Sequence, residues 1–351
     1  MPPVRVLVVD DSAFMRQVIS RMLEKDPGLC VVGTARDGLD GLAKLAKFAP
    51  DVVTLDLEMP RMDGLTFLAE AMGRKAVPVI IVSSWAKAGA QQTLRALELG
   101  AVDFVTKPVA VPSEAMWDIA PELVAKIKAA ALARLPVGPA AEPAARRSVV
   151  AVPQAAARAA ICCIAASTGG PRGLQSIVSR LPAGFPAGVL LVQHLPVGFS
   201  RAFADRLGET AALPVKEAAD GDELVPGRVY VAPAGMQTRV AGAEGRLYLE
   251  VGTEPASIFR PSADVTFGSI AESCGAGALG ILLSGMGQDG ARGLLALRER
   301  GARTVAEAEE TCIIYGMPRA AVELGAAEFI LPLWQIPEAV VSLAGPARDC
   351  P

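Results

Sequence analysis

Residues 4–109 alternate short runs of Val, Ile and Leu with amphipathic segments, and this alternation constrains the fold more than any other feature of the chain. "VRVLVVD" is followed by Phe14, Val18, Ile19, Met22 and Leu23 at helical spacing, then by "CVVGTA", "DVVTLDL" and "VPVIIVSS". Nearly unbroken apolar strands separated by helices form a parallel sheet covered on both faces. A last helix is expected over Ser113–Leu135. From Pro136 to Ala159 the sequence "PVGPAAEPAARRSVVAVPQAAARA" has no usable periodicity and reads as a linker.

The alternation resumes at about Ala160. Strand 161–166 leads to a helix from about residue 172, strand "GVLLVQ", a helix from Phe199, strand "RVYVAP" and a hairpin around "GAEGR". A helix from Asp264, strand "ALGILLSG", a helix from Gly290 and strand "ARTVAEA" follow. The expected fold class is α/β, with two doubly wound parallel-sheet domains joined by a Pro/Ala-rich linker. At 351 residues, each domain can bury its own core.

Charge and cysteine usage narrow the setting. With 34 basic against 37 acidic side chains the net charge is −3, so no broad positive field selects nucleic acid or an anionic membrane. The uncharged stretch Leu181–Ser200 is cut by Pro182, Pro186 and Pro196 into strand-sized pieces, and no membrane insertion is expected. The six cysteines contain no C-x-x-C pair and read as reduced, buried thiols. The first apolar run ends in Asp10 and Asp11 and not in a small-residue cleavage site, so the expected location is the cytoplasm.

In the first domain, Asp10 and Asp11 end the first strand and Asp56 ends the third, inside "TLDLEMPRMDG". The carboxyl ends of parallel strands share one edge, so these carboxylates can converge there. Three such groups repel unless a cation intervenes, and an oxygen-only site with open positions suits Mg²⁺. Ser83 ends the fourth strand and Lys107 the fifth, bringing a hydroxyl and an ammonium suited to phosphate oxygens to the same edge. Any one of these acids could instead cap a helix. As a set they resemble the response-regulator receiver domain of two-component signalling, over residues 3–125. The resemblance implies phosphorylation of Asp56 by a histidine kinase. It also implies Mg²⁺ on Asp10, Asp11 and Asp56, Ser83 as switch hydroxyl, Lys107 as phosphate-binding ammonium and Phe104 as switch aromatic.

In the second domain, Ser167 follows "ICCIAA", His194 follows "GVLLVQ" and Asp289 follows "ALGILLSGMGQ". His194 is the sole histidine of the chain, so a serine–imidazole pair has one possible base. Loops after parallel strands lie on one rim, where His194 could take the Ser167 proton and Asp289 orient the imidazole. Gly169, Gly170, Gly285, Gly287 and Gly290 allow backbone to approach a substrate carbonyl, where N–H groups can form an oxyanion hole. Read singly, Ser167 and Asp289 are more often helix caps than catalytic groups, and His194 is more often a core or turn histidine. The nucleophile lies outside G-x-S-x-G, and neither phosphate-loop pattern is present.

"AASTGGP", "QHLPVGFS", "RPSADVTF" and "LLSGMGQDGARGL" resemble the catalytic domain of chemotaxis protein-glutamate methylesterases, the CheB family. The resemblance implies a methylesterase domain over 160–346, after a helix end and linker at 126–159, with the triad at Ser167, His194 and Asp289 and the oxyanion site at Thr168 and Met286. Arg260, Pro261 and Ser262 fit the family's loop near the active site, whereas Phe259 stands where a histidine is expected. The implied activity is hydrolysis of glutamate γ-methyl esters on the cytoplasmic helices of chemoreceptors, with methanol released. Deamidation of particular receptor glutamines by the same route is also implied. The hydrolysis needs no cofactor, the protein is expected to be monomeric, and phosphorylation of the receiver is expected to activate it.

Overall fold

The computed structural model describes residues 2–74, 76–84, 87–107, 115–133, 135, 159–243 and 245–345. The chain divides into two compact units, Met1–Ala141 and Glu142–Pro351. The expected linker at 136–158 lies outside the described residues, as do residues 113, 114 and 134 of the last expected helix of the first domain.

The first unit runs β1 (Val4–Val9), α1 (Ala13–Glu24), β2 (Leu29–Ala35), α2 (Gly38–Phe48), β3 (Val52–Leu55), α3 (Gly64–Arg74), β4 (Val79–Ser84), α4 (Lys87–Glu98), β5 (Asp103–Lys107) and α5 (Ala120–Ala131). The sheet is parallel in the order β2-β1-β3-β4-β5. Val6–Val9 and Val52–Leu55 are buried, as expected of strands covered on both faces. Each fully buried Val, Leu or Ile of this kind contributes about 1.5–3 kcal/mol. The helix expected over 113–135 is shorter than the sequence reading. A 3₁₀ turn occupies Ala115–Ile119, and α5 begins where Pro121, lacking an N–H, fits the first turn. Ser83 is followed within β4 by Ser84 and so does not end that strand.

The second unit runs β6 (Ile161–Ala166), α6 (Gly170–Val178), β7 (Gly188–Gln193), α7 (Ser200–Gly208), β8 (Val215–Glu217), β9 (Val229–Val231), β10 (Gln237–Ala243), β11 (Arg246–Gly252), α8 (Ala263–Ser273), β12 (Ala278–Leu282), α9 (Ala291–Glu299), β13 (Arg303–Glu307), α10 (Met317–Glu323), β14 (Phe329–Leu331) and α11 (Ile336–Leu343). Its seven-stranded parallel sheet has the order β14-β13-β12-β6-β7-β9-β8. β10 and β11 form a separate antiparallel hairpin, as expected around "GAEGR". The strand before the hairpin is only Val229–Val231, and β12 stops at Leu282 before the glycines that follow. Sequence reasoning did not find β8, α10, β14 or α11, which run from three to eight residues, too short for periodicity to register.

Strand order reverses between β1 and β3 in the first sheet and between β6 and β12 in the second. Such reversals open a crevice at the carboxyl ends of the strands. In the second unit the hairpin docks on α8 by side-chain hydrogen bonds. Val240 N donates to Ser269 Oγ at 2.9 Å, and Thr266 Oγ1 donates to the Thr238 carbonyl at 2.7 Å. Phe267 and Ile270 of α8 and Leu294 and Leu297 of α9 join Leu282 of β12 in one core. This packing sets the N-terminus of α8 beside the crevice.

Candidate functional site

In the first unit the register Val9↔Leu55 places Asp10 and Asp56 side by side, one residue beyond each strand. Asp56 N donates to the Val9 carbonyl at 2.9 Å. Carboxylate oxygens of Asp10, Asp11 and Asp56 lie within 4.8 Å of one another, Asp10 and Asp56 buried and Asp11 exposed. Lys107 Nζ sits 2.9 Å from Asp10 Oδ2 and 2.6 Å from Asp56 Oδ2. Burial pushes the Asp10 carboxyl above its ordinary range, the ammonium of Lys107 opposes that push, and the charge of Asp56 adds to it. Burial alone would lower the Lys107 ammonium, but Asp56 and Asp10 raise it. Three hard oxygen donors at this separation, one open to solvent, fit an ion of the Mg²⁺ type.

Gly64 lets α3 begin against this pocket. A Cβ there would lie 2.7 Å from Leu57 Cα and closer still to the Asp56 carbonyl oxygen. Ser83 is buried and pairs in register with Thr106, next to Lys107. Phe104 is also buried, with Lys126 Nζ 5.5 Å from its ring centroid. The pocket thus gathers Asp10, Asp11, Asp56 and Lys107, with Ser83 on the strand beside Lys107 and Phe104 packed inward.

In the second unit β6 lies between β7 and β12, so the nucleophile candidate directly follows the central strand. Ser167 N donates to the Ser284 carbonyl at 3.1 Å, and His194 N donates to the Ala166 carbonyl at 3.2 Å. The buried Gln193 carboxamide ties these turns together, its Nε2 donating to the carbonyls of Ser167 at 3.0 Å and His194 at 3.1 Å. Gly285 makes room for the serine, since a Cβ there would lie 2.9 Å from Ser167 Cβ.

His194 Nε2 lies 2.8 Å from Asp289 Oδ2. A carboxylate only accepts, so Nε2 carries the proton and Nδ1 is left as the basic nitrogen. Nδ1 is buried and has no hydrogen-bond partner among the described residues. The structure therefore unites His194 with Asp289 and seats Ser167 on the adjoining turn, without a hydrogen bond between the serine hydroxyl and the ring. Catalytic contacts of this kind often tighten only when substrate binds.

Asp289 rests on the N-terminus of α8. Its Oδ2 accepts from Ala263 N at 2.7 Å, while Oδ1 accepts from Ser262 Oγ at 2.8 Å and Asp264 N at 3.1 Å. Burial raises its carboxyl, but the hydrogen bond and charge of His194, with the Ala263 and Ser262 donors, hold it below the usual carboxylate range. The positive end of a helix favours the same charge. Thr168 is buried and its carbonyl accepts from Ser284 Oγ at 2.9 Å, whereas Met286 is exposed between Gly285 and Gly287.

Phe259, the departure noted in the sequence, stacks on His194 with ring centroids 4.4 Å apart and planes 2° from parallel. Glu307 was not foreseen either. It is buried, its Oε2 accepts from Ser284 N at 2.8 Å, and burial raises its carboxyl. An acid inside the apolar strand "ARTVAEA" was the signal available for it. Gln193, directly before the sole histidine, and Gln237 carried no comparable signal.

No helix among the described residues is long and apolar enough to cross a membrane. The family model "CheB methylesterase" matches residues 162–340, and "Response regulator receiver domain" matches residues 6–114. A protein-glutamate methylesterase/protein-glutamine glutaminase of Symbiobacterium thermophilum is 49% identical, with 98% of each chain covered. Its namesake in Oleidesulfovibrio alaskensis is 42% identical over 97% of this chain and 99% of its own. The crystal structure of the Thermotoga maritima CheB methylesterase catalytic domain matches all of that chain and 53% of this one, at 38% identity and a TM-score of 0.52.

Proposed function

The chain belongs to the CheB methylesterase family, with a response regulator receiver domain ahead of the catalytic domain, and from that premise we propose that it removes methyl groups from glutamate γ-methyl esters on chemoreceptors and deamidates particular receptor glutamines. The observation that carries this reading is the 2.8 Å contact of His194 Nε2 with Asp289 Oδ2, beside a serine on the neighbouring strand end.

Ser167 Oγ attacks the ester carbonyl as His194 Nδ1 takes its proton, and Asp289 stabilises the imidazolium. The proton then passes to the departing methoxide and methanol leaves. Water, deprotonated by the same nitrogen, hydrolyses the glutamyl-enzyme. An amide follows the same course with ammonia as leaving group. The Met286 N–H, which donates no hydrogen bond among the described residues, is available to the oxyanion, and Thr168, directly after the nucleophile, is the second residue we assign there. One such donor lowers a barrier by about 2.7–4 kcal/mol.

Control enters through the first unit. Asp56 accepts the phosphoryl group from a chemotaxis histidine kinase; Asp10, Asp11 and Asp56 would hold the Mg²⁺, which would supply positive charge to offset that of the phosphate. Lys107 releases its hold on the carboxylates to pair with phosphate oxygens, and Ser83 and Phe104 rearrange in answer, raising esterase activity. The hydrolysis itself draws on no cofactor, and the protein works as a cytoplasmic monomer. The experiment is methanol release from methylated receptor by wild type, Ser167→Ala, His194→Gln and Asp289→Asn, each with and without acetyl phosphate. Wild type releases methanol faster with phosphodonor, and the three variants fall by about 10³-fold or more in both conditions. Retained activity in Ser167→Ala would overturn the assignment.

A further inference from the structure

Five contacts form a closed circuit around the catalytic imidazole. His194 Nε2 meets Asp289 Oδ2, and Asp289 Oδ1 accepts from Ser262 Oγ. Ser262 N donates to Gln237 Oε1 at 2.9 Å, and Gln237 Nε2 donates to the Phe259 carbonyl at 2.9 Å. The Phe259 ring then closes the circuit on the face of His194. Gln237 is fully buried and both ends of its carboxamide are engaged, so the main chain at Phe259 is tied to the same helix end that holds Asp289. The next residue is pinned as well, with Gly235 N donating to the Arg260 carbonyl at 2.9 Å.

We propose that Phe259 is a positioning residue for the esterase reaction, holding the His194 ring in the plane that keeps Nε2 on Asp289 and leaves Nδ1 free as the base. An imidazole held only by one hydrogen bond can swing about its Cβ–Cγ bond. A phenyl ring lying parallel at 4.4 Å blocks that swing on one face. When the ring takes the serine proton it becomes a cation, which the phenyl face attracts. The ring therefore acts on orientation before proton transfer and on charge after it. The side chain is 37% exposed, which an apolar ring kept only for core packing would not be.

This proposal rests on the triad reading, and the experiment separates the two. Phe259→Leu, Phe259→Tyr and Ser167→Ala are compared with wild type for methanol release from methylated receptor, and for inactivation by a small fluorophosphonate that needs no receptor docking. Phe259→Leu lowers kcat by roughly three- to tenfold, the effect of losing one aromatic pair, with KM within about twofold. Its inactivation by the fluorophosphonate slows in proportion, and Phe259→Tyr restores both rates. A leucine variant with unchanged kcat, a change confined to KM, or a tyrosine variant as slow as leucine overturns the role of Phe259 while leaving the triad intact. A Ser167→Ala protein that still releases methanol overturns both. Should the leucine variant not fold, Phe259→Met provides the same non-aromatic comparison.

Discussion

His194 reaches Asp289 through Nε2, 2.8 Å from Oδ2, so the nitrogen left to take the serine proton in the proposed reaction is Nδ1, the one bonded to the ring carbon that carries the side chain. In Asp289→Asn, an amide oxygen placed on Ser262 Oγ and Asp264 N turns its NH₂ toward two donors, His194 Nε2 and Ala263 N. The imidazole would shift its proton to Nδ1, which removes the base. The expected fall in kcat is about 10⁴-fold, as when a serine protease triad suffers the same exchange. Methanol release at saturating receptor measures it, and a variant within tenfold of wild type contradicts the tautomer assigned here.

Gly285→Ala tests the space beside the nucleophile. The new methyl would stand 2.9 Å from Ser167 Cβ and nearer still to the Met317 sulfur. Relief requires moving the serine or repacking α10. The variant is expected to lose at least about 10²-fold in kcat, since a displacement of an ångström is enough for that, and about 1–3 kcal/mol of stability through overpacking. Single-turnover acylation and a urea melt read the two effects separately.

The acidic pocket predicts a metal response confined to the first unit. Millimolar MgCl₂ should raise its melting temperature, because a ligand that binds only the folded state adds about 2.7 kcal/mol at one hundred times its dissociation constant. Asp11→Ala, at the exposed corner of the pocket, should abolish both that rise and labelling of Asp56 by acetyl phosphate. An unchanged rise in Asp11→Ala would show that magnesium binds elsewhere.

Glu307 gives a pH-dependent prediction with a definite sign. Its folded carboxyl lies above the ordinary value of 4.5 because burial disfavours the charge. Its contribution to stability is complete below 4.5 and is lost as pH rises through the folded value, where the unfolded chain ionises more readily. Glu307→Gln keeps an oxygen for Ser284 N and carries no charge. Its melting temperature should match wild type at pH 4 and exceed it increasingly toward pH 8. A constant difference across that range would mean that Glu307 does not titrate differently on folding.

How much of this was legible in the sequence depends on how far each residue stands from its strand. Asp10, Asp56, Ser167 and His194 each lie one residue past a strongly apolar strand, so pattern alone put them on the right rim. Asp289 lies seven residues beyond Leu282; the apolar strand before it put its loop on the same rim, and the resemblance singled it out there. Gln237 and Gln193 escaped, and of Phe259 only the departure from the family pattern was legible, because their contacts are made by side chains brought together on folding. The hydroxyl of Ser167 was expected to meet the imidazole directly; its backbone is adjacent, and the contact is not formed.

A chain with a single imidazole carries its own spectroscopic label. In a nitrogen-15 spectrum of the whole protein, one ring spin system reports both nitrogens, one bonded toward a carboxylate and the other unengaged. Tautomer exchange, acylation and the arrival of a phosphoryl group on the other unit could each be followed at that one pair of resonances, in unmodified protein, as turnover proceeds.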